Sequence, residues 1–540
     1  MKWGSAILIV FSTGCLEEAA PLRFEPAELE LTVELDAPAR APLRVLAGDA
    51  DVTAEVTLAL DGAPLGSVDA TGFASDGRTG GRATIVATRG GEAATLPVRV
   101  VLRSTRFIDA PPGAAGWFDA ARDLDADAAL EPGDGAVLPA NLGRLDVHFV
   151  AGVNDTHEVA VLGPELELRV FGRGDAAARR VELTAAEWDA IARTSRGGAA
   201  DLVVRSLSSA NPAEARRTAA RLAIAELAFP AQVLFTGRPA PELPQLWTYE
   251  LATASTERWA SGPNGNCLGC HVALSRDGRR LAAGGSIDTA AGPVGGGLLV
   301  DTRTRYYAAP PSAAVGVWIS AAFDPGGALV TAANGILTVR DGATALPRAT
   351  LTPPLPANQP AISTDGRSLA YVAGPIDPAT TNPNTQELRI HDWDAATATL
   401  GAPRTLVSRR DGEYLKLPDF SPDDRWIIYS RGPALFGASG SIMAIRADGS
   451  GEPRALTPDH DGLARFASPI ATVHGGGPAA EPMAWIVMKS FRPVGGRSQT
   501  GIGQLWAMAF YPERGVASRP FHLPGQRPDV AVLHAPTAMP

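Results

Sequence analysis

Hydrophobic and polar positions alternate in short runs along most of this chain, and a period of two marks half-buried β-strands. Leu29, Leu31, Val33 and Leu35 share one face of the first clear run, and 54–60, 83–87 and 96–102 follow with Gly-rich turns between them. This predicts a first β-domain over 22–103. Residues 104–139 are acidic and rich in Ala, Pro and Gly, which reads as a solvated linker. Asp123, Asp125 and Asp127 alternate there as in a calcium loop, but Ala128 stands where the loop needs Gly and Asp134 where it needs Glu. A second, smaller β-rich domain is expected over 140–230, with strands at 145–150, 159–162, 166–171 and 202–207. Thr184 and Glu187 make a capping box before the apolar Trp188 and Ile191, so one helix starts there. Asn211 as N-cap, Pro212 at the first helical position and Pro230 as the stop predict another helix.

From 231 to 540 the pattern repeats. Val272–Ala282, Ala322–Val330, Ala361–Ala370 and Asp419–Ile428 each run from an apolar stretch through a small polar residue and an Asp- or Gly-containing turn into a hydrophobic strand. The turn residues suit tight hairpins. The spacing of about 40 to 60 residues is that of propeller blades, whose sheets bury both faces only by stacking radially. A further blade around 246–250 and a last one from 485–489 and 504–509 bring the count to about six. The fold class is therefore all-β throughout.

Composition narrows the function. A chain of 540 residues suits three or four domains. Its net charge of −10 supplies no basic patch for phosphates, which argues against nucleic acid as a partner. Lys2, Lys416 and Lys489 are the only lysines, and arginine carries the rest of the positive charge, which reads as genomic base composition.

At the N-terminus, Met1-Lys2 and the apolar 3–11 lead into Ser12-Thr13-Gly14-Cys15, similar to a bacterial lipobox. The apolar run is far shorter than the roughly 20 residues that span a bilayer, so 1–15 is expected to be a cleaved lipoprotein-type signal. Cys15 would then carry the lipid. Ser12 departs from the usual Leu, and Leu16 resembles outer-membrane sorting.

The remaining two cysteines fall in Cys267-Leu268-Gly269-Cys270-His271, the attachment signature of a c-type haem. In that chemistry Cys267 and Cys270 form thioethers and His271 is the proximal iron ligand. Two other readings stay open: a Cys267–Cys270 disulfide in an oxidising compartment, and a metal site such as zinc completed by distant ligands. A distal haem ligand would come from His391, His460, His474 or His522, or from Met443, Met483, Met488 or Met508. His474, followed by three glycines, is the favoured one, although core packing is the default role of the methionines. Other chemistry is sparse: His157-Glu158 lacks the second His of a zincin, and no G-x-S-x-G elbow occurs.

Three resemblances follow from these residues. Val52-Thr53, 81–87 and 97–100 resemble a bacterial Ig-like domain of surface adhesins, which implies a β-sandwich stalk. The "F-S-P-D" phrase at Phe420 and its degenerate copies resemble the TolB-type, WD40-like β-propeller. The phrase running from Cys267 to Gly278, with 503–506 and 523–526, resembles exported myxobacterial proteins that carry C-x-G-C-H-x-x-S-x-D-G leading into such a propeller. Together they imply an outer-membrane lipoprotein, periplasmic or surface-exposed, with one haem c, acting in electron transfer or redox sensing with a redox or envelope protein partner. The alternatives they leave are a non-enzymatic binding propeller and a haem enzyme with an open iron site.

Overall fold

The computed structural model describes residues 20–540 except 175–177, 263–266, 290–291, 306, 310–317, 319, 378–383, 435–439, 458–460, 467–470, 474–480, 496–501, 535 and 540. For some strand residues, Cys270 and His271 among them, only the backbone is described. The chain divides into two compact units, Met1–Arg103 and Ser104–Pro540.

The first unit is all β. Gly81–Arg89 pairs antiparallel with Thr57–Gly62 and with the long strand Glu92–Ile108, and Leu29–Glu34 joins that strand in parallel. Two three-stranded sheets complete it. The alternation read from the sequence places Val33, Ile85, Ala87, Leu96, Val98 and Val100 in the core, while Glu30, Thr32 and Glu34 face solvent.

The second unit begins with a region that corrects two expectations. Residues 104–139 are not a solvated linker. They hold the helix Ala114–Ala120, with Phe118 fully buried, and three short strands that pair with Leu145–Val150 and Asn211–Ala225. Their aspartates serve arginines: Asp123 binds Arg205 at 2.7 Å and Asp125 binds Arg217 at 3.5 Å. The helix expected after Asn211 is instead the strand Asn211–Ala225, antiparallel to Ala199–Ser208. Its Ala- and Arg-rich sequence has helical propensity, but the neighbouring edge needs hydrogen-bond partners and wins. The other helix forms as read. Thr184 caps Ala185–Ser195, Glu187 returns a bond to the Thr184 N–H, and Arg106 grips the Glu187 carboxylate.

Six antiparallel sheets follow in chain order. Blade 1 is Gln232–Pro239, Gln245–Glu250 and Ser255–Ala260. Its inner strand comes from the far end of the chain, where Val530–Val532 and Thr537–Met539 pair with Gln232–Pro239. Blades 2 to 6 start from the inner strands Leu268–Leu274, Ser320–Phe323, Ala357–Ile362, Tyr414–Phe420 and Asp461–Phe466, each continuing outward. Each inner strand lies against the next, and Thr537–Met539 touches both Asp461–Phe466 and Leu268–Leu274, so the ring closes. This is a six-bladed propeller.

Between blades run separate apolar cores. One, with Leu234, Leu246, Trp259, Leu268, Val272 and Leu298, joins blades 1 and 2. Another, with Trp426, Ile486, Trp506 and Phe510, joins blades 5 and 6. The Ser-x-Asp turns are structural. Ser275, Ser363 and Ser421 each donate to the Asp two residues on and accept the N–H five residues on, at 2.5–2.9 Å.

The region 104–230 docks on this ring. The His522 N–H donates to Glu131 (3.1 Å), the Gly525 N–H to Asp146 (2.9 Å) and the Trp485 indole to the Leu227 carbonyl (3.1 Å).

Candidate functional site

The C-x-x-C-H segment is the start of the inner strand of blade 2. Five of the six inner strands break register at this end; in blade 1 the chain advances five residues, Val532 to Thr537, while its neighbour advances three, Gly237 to Leu234. In blades 4, 5 and 6 the strand advances three residues while its neighbour advances two: Asn358 to Ala361 against Val372 to Ala370, Lys416 to Asp419 against Ser430 to Ile428, and Asp461 to Ala464 against Ser490 to Met488. In blade 2 it advances four, Leu268 to Val272, against two, Gly285 to Ala283. The bulge at the motif is thus one residue wider than those of blades 4, 5 and 6 and equals the excess in blade 1, and bulges re-aim side chains. Gly269-Cys270-His271 lie between its ends, opposite the single residue Gly284.

Both ends of this bulge are anchored. Leu268 and Val272 are buried in the core between blades 1 and 2. The Leu268 N–H donates to the Pro244 carbonyl at 2.9 Å, and the Thr236 hydroxyl donates to the Gly269 carbonyl. Cys267 is partly exposed at the rim. Gly269 has φ of +100°, and a Cβ there would lie 2.7 Å from Leu246 Cδ2 and 2.8 Å from Thr236 Oγ1. Gly269→Ala therefore combines backbone strain with overpacking and should cost about 1–3 kcal/mol, read as a lowered thermal midpoint. An unchanged midpoint would show that the bulge has room to relax.

Neighbouring bulges are tied into a polar belt. The Leu417 N–H, which has no ladder partner, donates to Gln359 Oε1 at 2.7 Å, while Ser320 Oγ donates to Asn358 Oδ1 at 2.8 Å and accepts the Gln359 N–H at 3.0 Å. At the same end two lysines are buried, Lys416 on the inner strand of blade 5 and Lys489 on the second strand of blade 6. Burial pulls both ammonium groups down to about 8.

The expected distal ligands are distributed elsewhere. Met443 fills the core between blades 4 and 5, and Met488 and Met508 the core between blades 5 and 6. Met483 is fully buried on Glu481–Ser490. His391 spends both ring nitrogens on structure, Nε2 with the Tyr371 hydroxyl and Nδ1 with the Gly401 carbonyl, each at 2.8 Å. His522 lies at the docking face, with Nε2 2.7 Å from Gln504 Oε1, and burial lowers its pKa to about 3. None of these described side chains is brought to blade 2. His460, His474 and Cys15 lie outside the described residues, as do the side chains of Cys270 and His271.

Glu131 and the Lys416–Lys489 pair escaped sequence reasoning. Glu131 is fully buried, and burial pushes its carboxyl up to about 7 against the opposing pull of Arg519 and Arg492. The opposite end of the channel, where the inner strands reach their turns, opens into a cavity of about 670 Å³ lined by Leu274, Phe323, Ile362, Phe420, Arg276 and Arg465.

No known protein family and no curated protein matches the chain. Among solved structures it is similar to a TolB of Agrobacterium tumefaciens, at 14% identity over 56% of this chain and 96% of that one, with a TM-score of 0.34. TolB of Acinetobacter baumannii is 12% identical over 63% and 79%, with a TM-score of 0.36. Hydrazine synthase of Kuenenia stuttgartiensis is 11% identical over 51% and 89%, with a TM-score of 0.30. The propeller assignment rests on the strand register of this chain itself.

Proposed function

We propose that this chain is an exported cell-envelope protein that carries one covalent c-type haem on blade 2 and acts in electron transfer or redox sensing. Cys267 and Cys270 would form the thioethers and His271 would ligate the iron. When bound, the haem supplies an iron centre that exchanges one electron. The observation that carries this reading is the widened bulge: at the C-x-x-C-H the inner strand exceeds its neighbour by two residues, against one in blades 4, 5 and 6. Leu268 and Val272 hold its ends, so the segment between them is presented by a rigid sheet.

The remaining parts support a tethered role. The first 15 residues read as a signal with Cys15 as lipid anchor to the outer membrane, and the Ig-like first unit as a spacer. A redox or envelope protein would be the partner. A second reading keeps the propeller as a non-enzymatic binding platform, with Cys267 and Cys270 as a disulfide or metal site. It is favoured by the commitment of Met443, Met488, Met508 and His391 to cores and structural bonds, which withdraws them as distal ligands.

Haem staining of denatured, periplasmically matured protein separates the two. The haem reading expects a stained band that is lost in Cys267→Ser/Cys270→Ser. No stain, under conditions where a control cytochrome stains, leaves the binding platform.

A further inference from the structure

Lysine is scarce enough in this chain for its placement to carry meaning. Of 48 lysines and arginines only Lys2, Lys416 and Lys489 are lysine, and the last two are both buried, 2% and 9% exposed. Each ammonium has one hydrogen-bond acceptor: Lys416 Nζ donates to the Ala434 carbonyl and Lys489 Nζ to the Leu533 carbonyl, both at 2.9 Å. Lys489 Nζ also sits 4.7 Å from the centroid of the Phe491 ring. An ammonium has three donors, so two on each lysine are left over among the described residues.

Among the described residues, carboxylates do not fill the gap. No described Asp or Glu is within ion-pair distance of either Nζ. Glu413, near Lys416 in the chain, is held by Arg431 at 3.4 Å. Asp461 has its backbone opposite Ser490, beside Lys489, and its side chain lies outside the description. A buried, unpaired charge costs several kcal/mol and persists where something compensates it. The two charges also oppose each other, since Lys416 adds to the lowering at Lys489.

Their position is specific. The Leu533 residue that accepts from Lys489 donates its N–H to the Thr236 carbonyl at 2.9 Å, and the Thr236 hydroxyl donates to Gly269 inside the C-x-x-C-H. Lys416 opens the bulge of blade 5, at the same end of the channel.

We propose that Lys416 and Lys489 together form an oxyanion-binding site at the motif end of the propeller. The shared chemistry is a carboxylate or phosphate group that takes up the four spare ammonium donors. Its source is either a haem propionate, which rests on the haem reading above, or a free small anion, which does not.

The test labels lysine with ¹³Cε and ¹⁵Nζ in the periplasmically matured chain, where removal of the signal, Lys2 included, leaves Lys416 and Lys489 as the two lysine signals. In the haem-free Cys267→Ser/Cys270→Ser protein, both should titrate near 8 in phosphate-free buffer. Inorganic phosphate should shift both signals saturably and raise both pKa values by about one unit, as an opposite charge nearby does. Lys416→Met should weaken phosphate binding about tenfold or more, the loss expected for a charge-assisted bond. In the haem-bearing protein, lysines already shifted and blind to phosphate identify the propionate as occupant, and lysines that still respond identify a free anion. A phosphate response with no haem stain keeps the site and removes the haem reading. Lysines titrating near 10.5 in the haem-free protein, or unmoved by both phosphate and haem, overturn the proposal. The titration of the Cys267→Ser/Cys270→Ser protein, with both lysines intact, decides this even where Lys416→Met does not fold.

Discussion

Deleting residues 529–540 should abolish the cooperative stability of the propeller. The deletion removes Val530–Val532 and Thr537–Met539, the only inner strand blade 1 has among the described residues, and bares the edge of Gln232–Pro239. It also removes the buried Val530 and Val532 and the bonds from the Val532 N–H to Gly503 and from the Leu533 N–H to Thr236. Two buried valines and about six ladder bonds amount to roughly 5–10 kcal/mol, comparable to the whole stability of a typical domain. The closure is what turns six separate sheets into one ring. A urea melt followed by tryptophan fluorescence should show an early, broad transition for the deletion and a sharp one for the full chain. Superimposable melts would mean that the ring is held by blade stacking alone.

The second large effect is at Glu131, where 104–230 meets the ring. Its carboxyl accepts the His522 N–H in a fully buried site and is held near 7 against an ordinary 4.5. The folded state therefore keeps a proton that the unfolded chain releases. The stability this group contributes is complete below about 4.5 and is lost as pH rises through about 7. At about 1.4 kcal/mol per pH unit, the interval sets an upper size of about 3 kcal/mol. Glu131→Gln keeps a carbonyl oxygen for the His522 N–H and removes the ionisation. It should match the native protein at pH 4 and exceed it by up to about 3 kcal/mol at pH 8, measured as urea midpoints. A gain of equal size at both pH values would contradict the buried carboxyl. His522 and His157, lowered to about 3 and about 4 by burial, work in the opposite direction. Their stability is present above about 6.5 and is lost as pH falls, so it cancels in the comparison of native protein with variant.

How much of this was legible in the chain depended on whether the cause was local. Alternation at Leu29–Glu34, the Thr184–Glu187 box and the Ser-x-Asp turns are settled by residues within five positions of one another, and each formed as read. The segment after Asn211 looked helical because its helix signals are local. The strand Ala199–Ser208 that claims it is set by the rest of the sheet. The acidic run 104–139 looked solvated for the same reason, since the arginines that neutralise Asp123 and Asp125 come from 205 and 217. The cysteines and histidine of the candidate site were plain in the sequence. The width of the bulge that holds them was not, because it is a property of register. The scarcity of lysine was equally visible, but only burial at Lys416 and Lys489 gives it chemical meaning.

If Cys267 and Cys270 bind one haem covalently, the mass of the chain records it. Intact-mass analysis of the periplasmically matured chain measures this directly. The mature chain should be heavier by one haem, a gain that disappears in Cys267→Ser/Cys270→Ser. A native chain lacking that mass, or lighter by two hydrogen atoms as a Cys267–Cys270 disulfide requires, would contradict it.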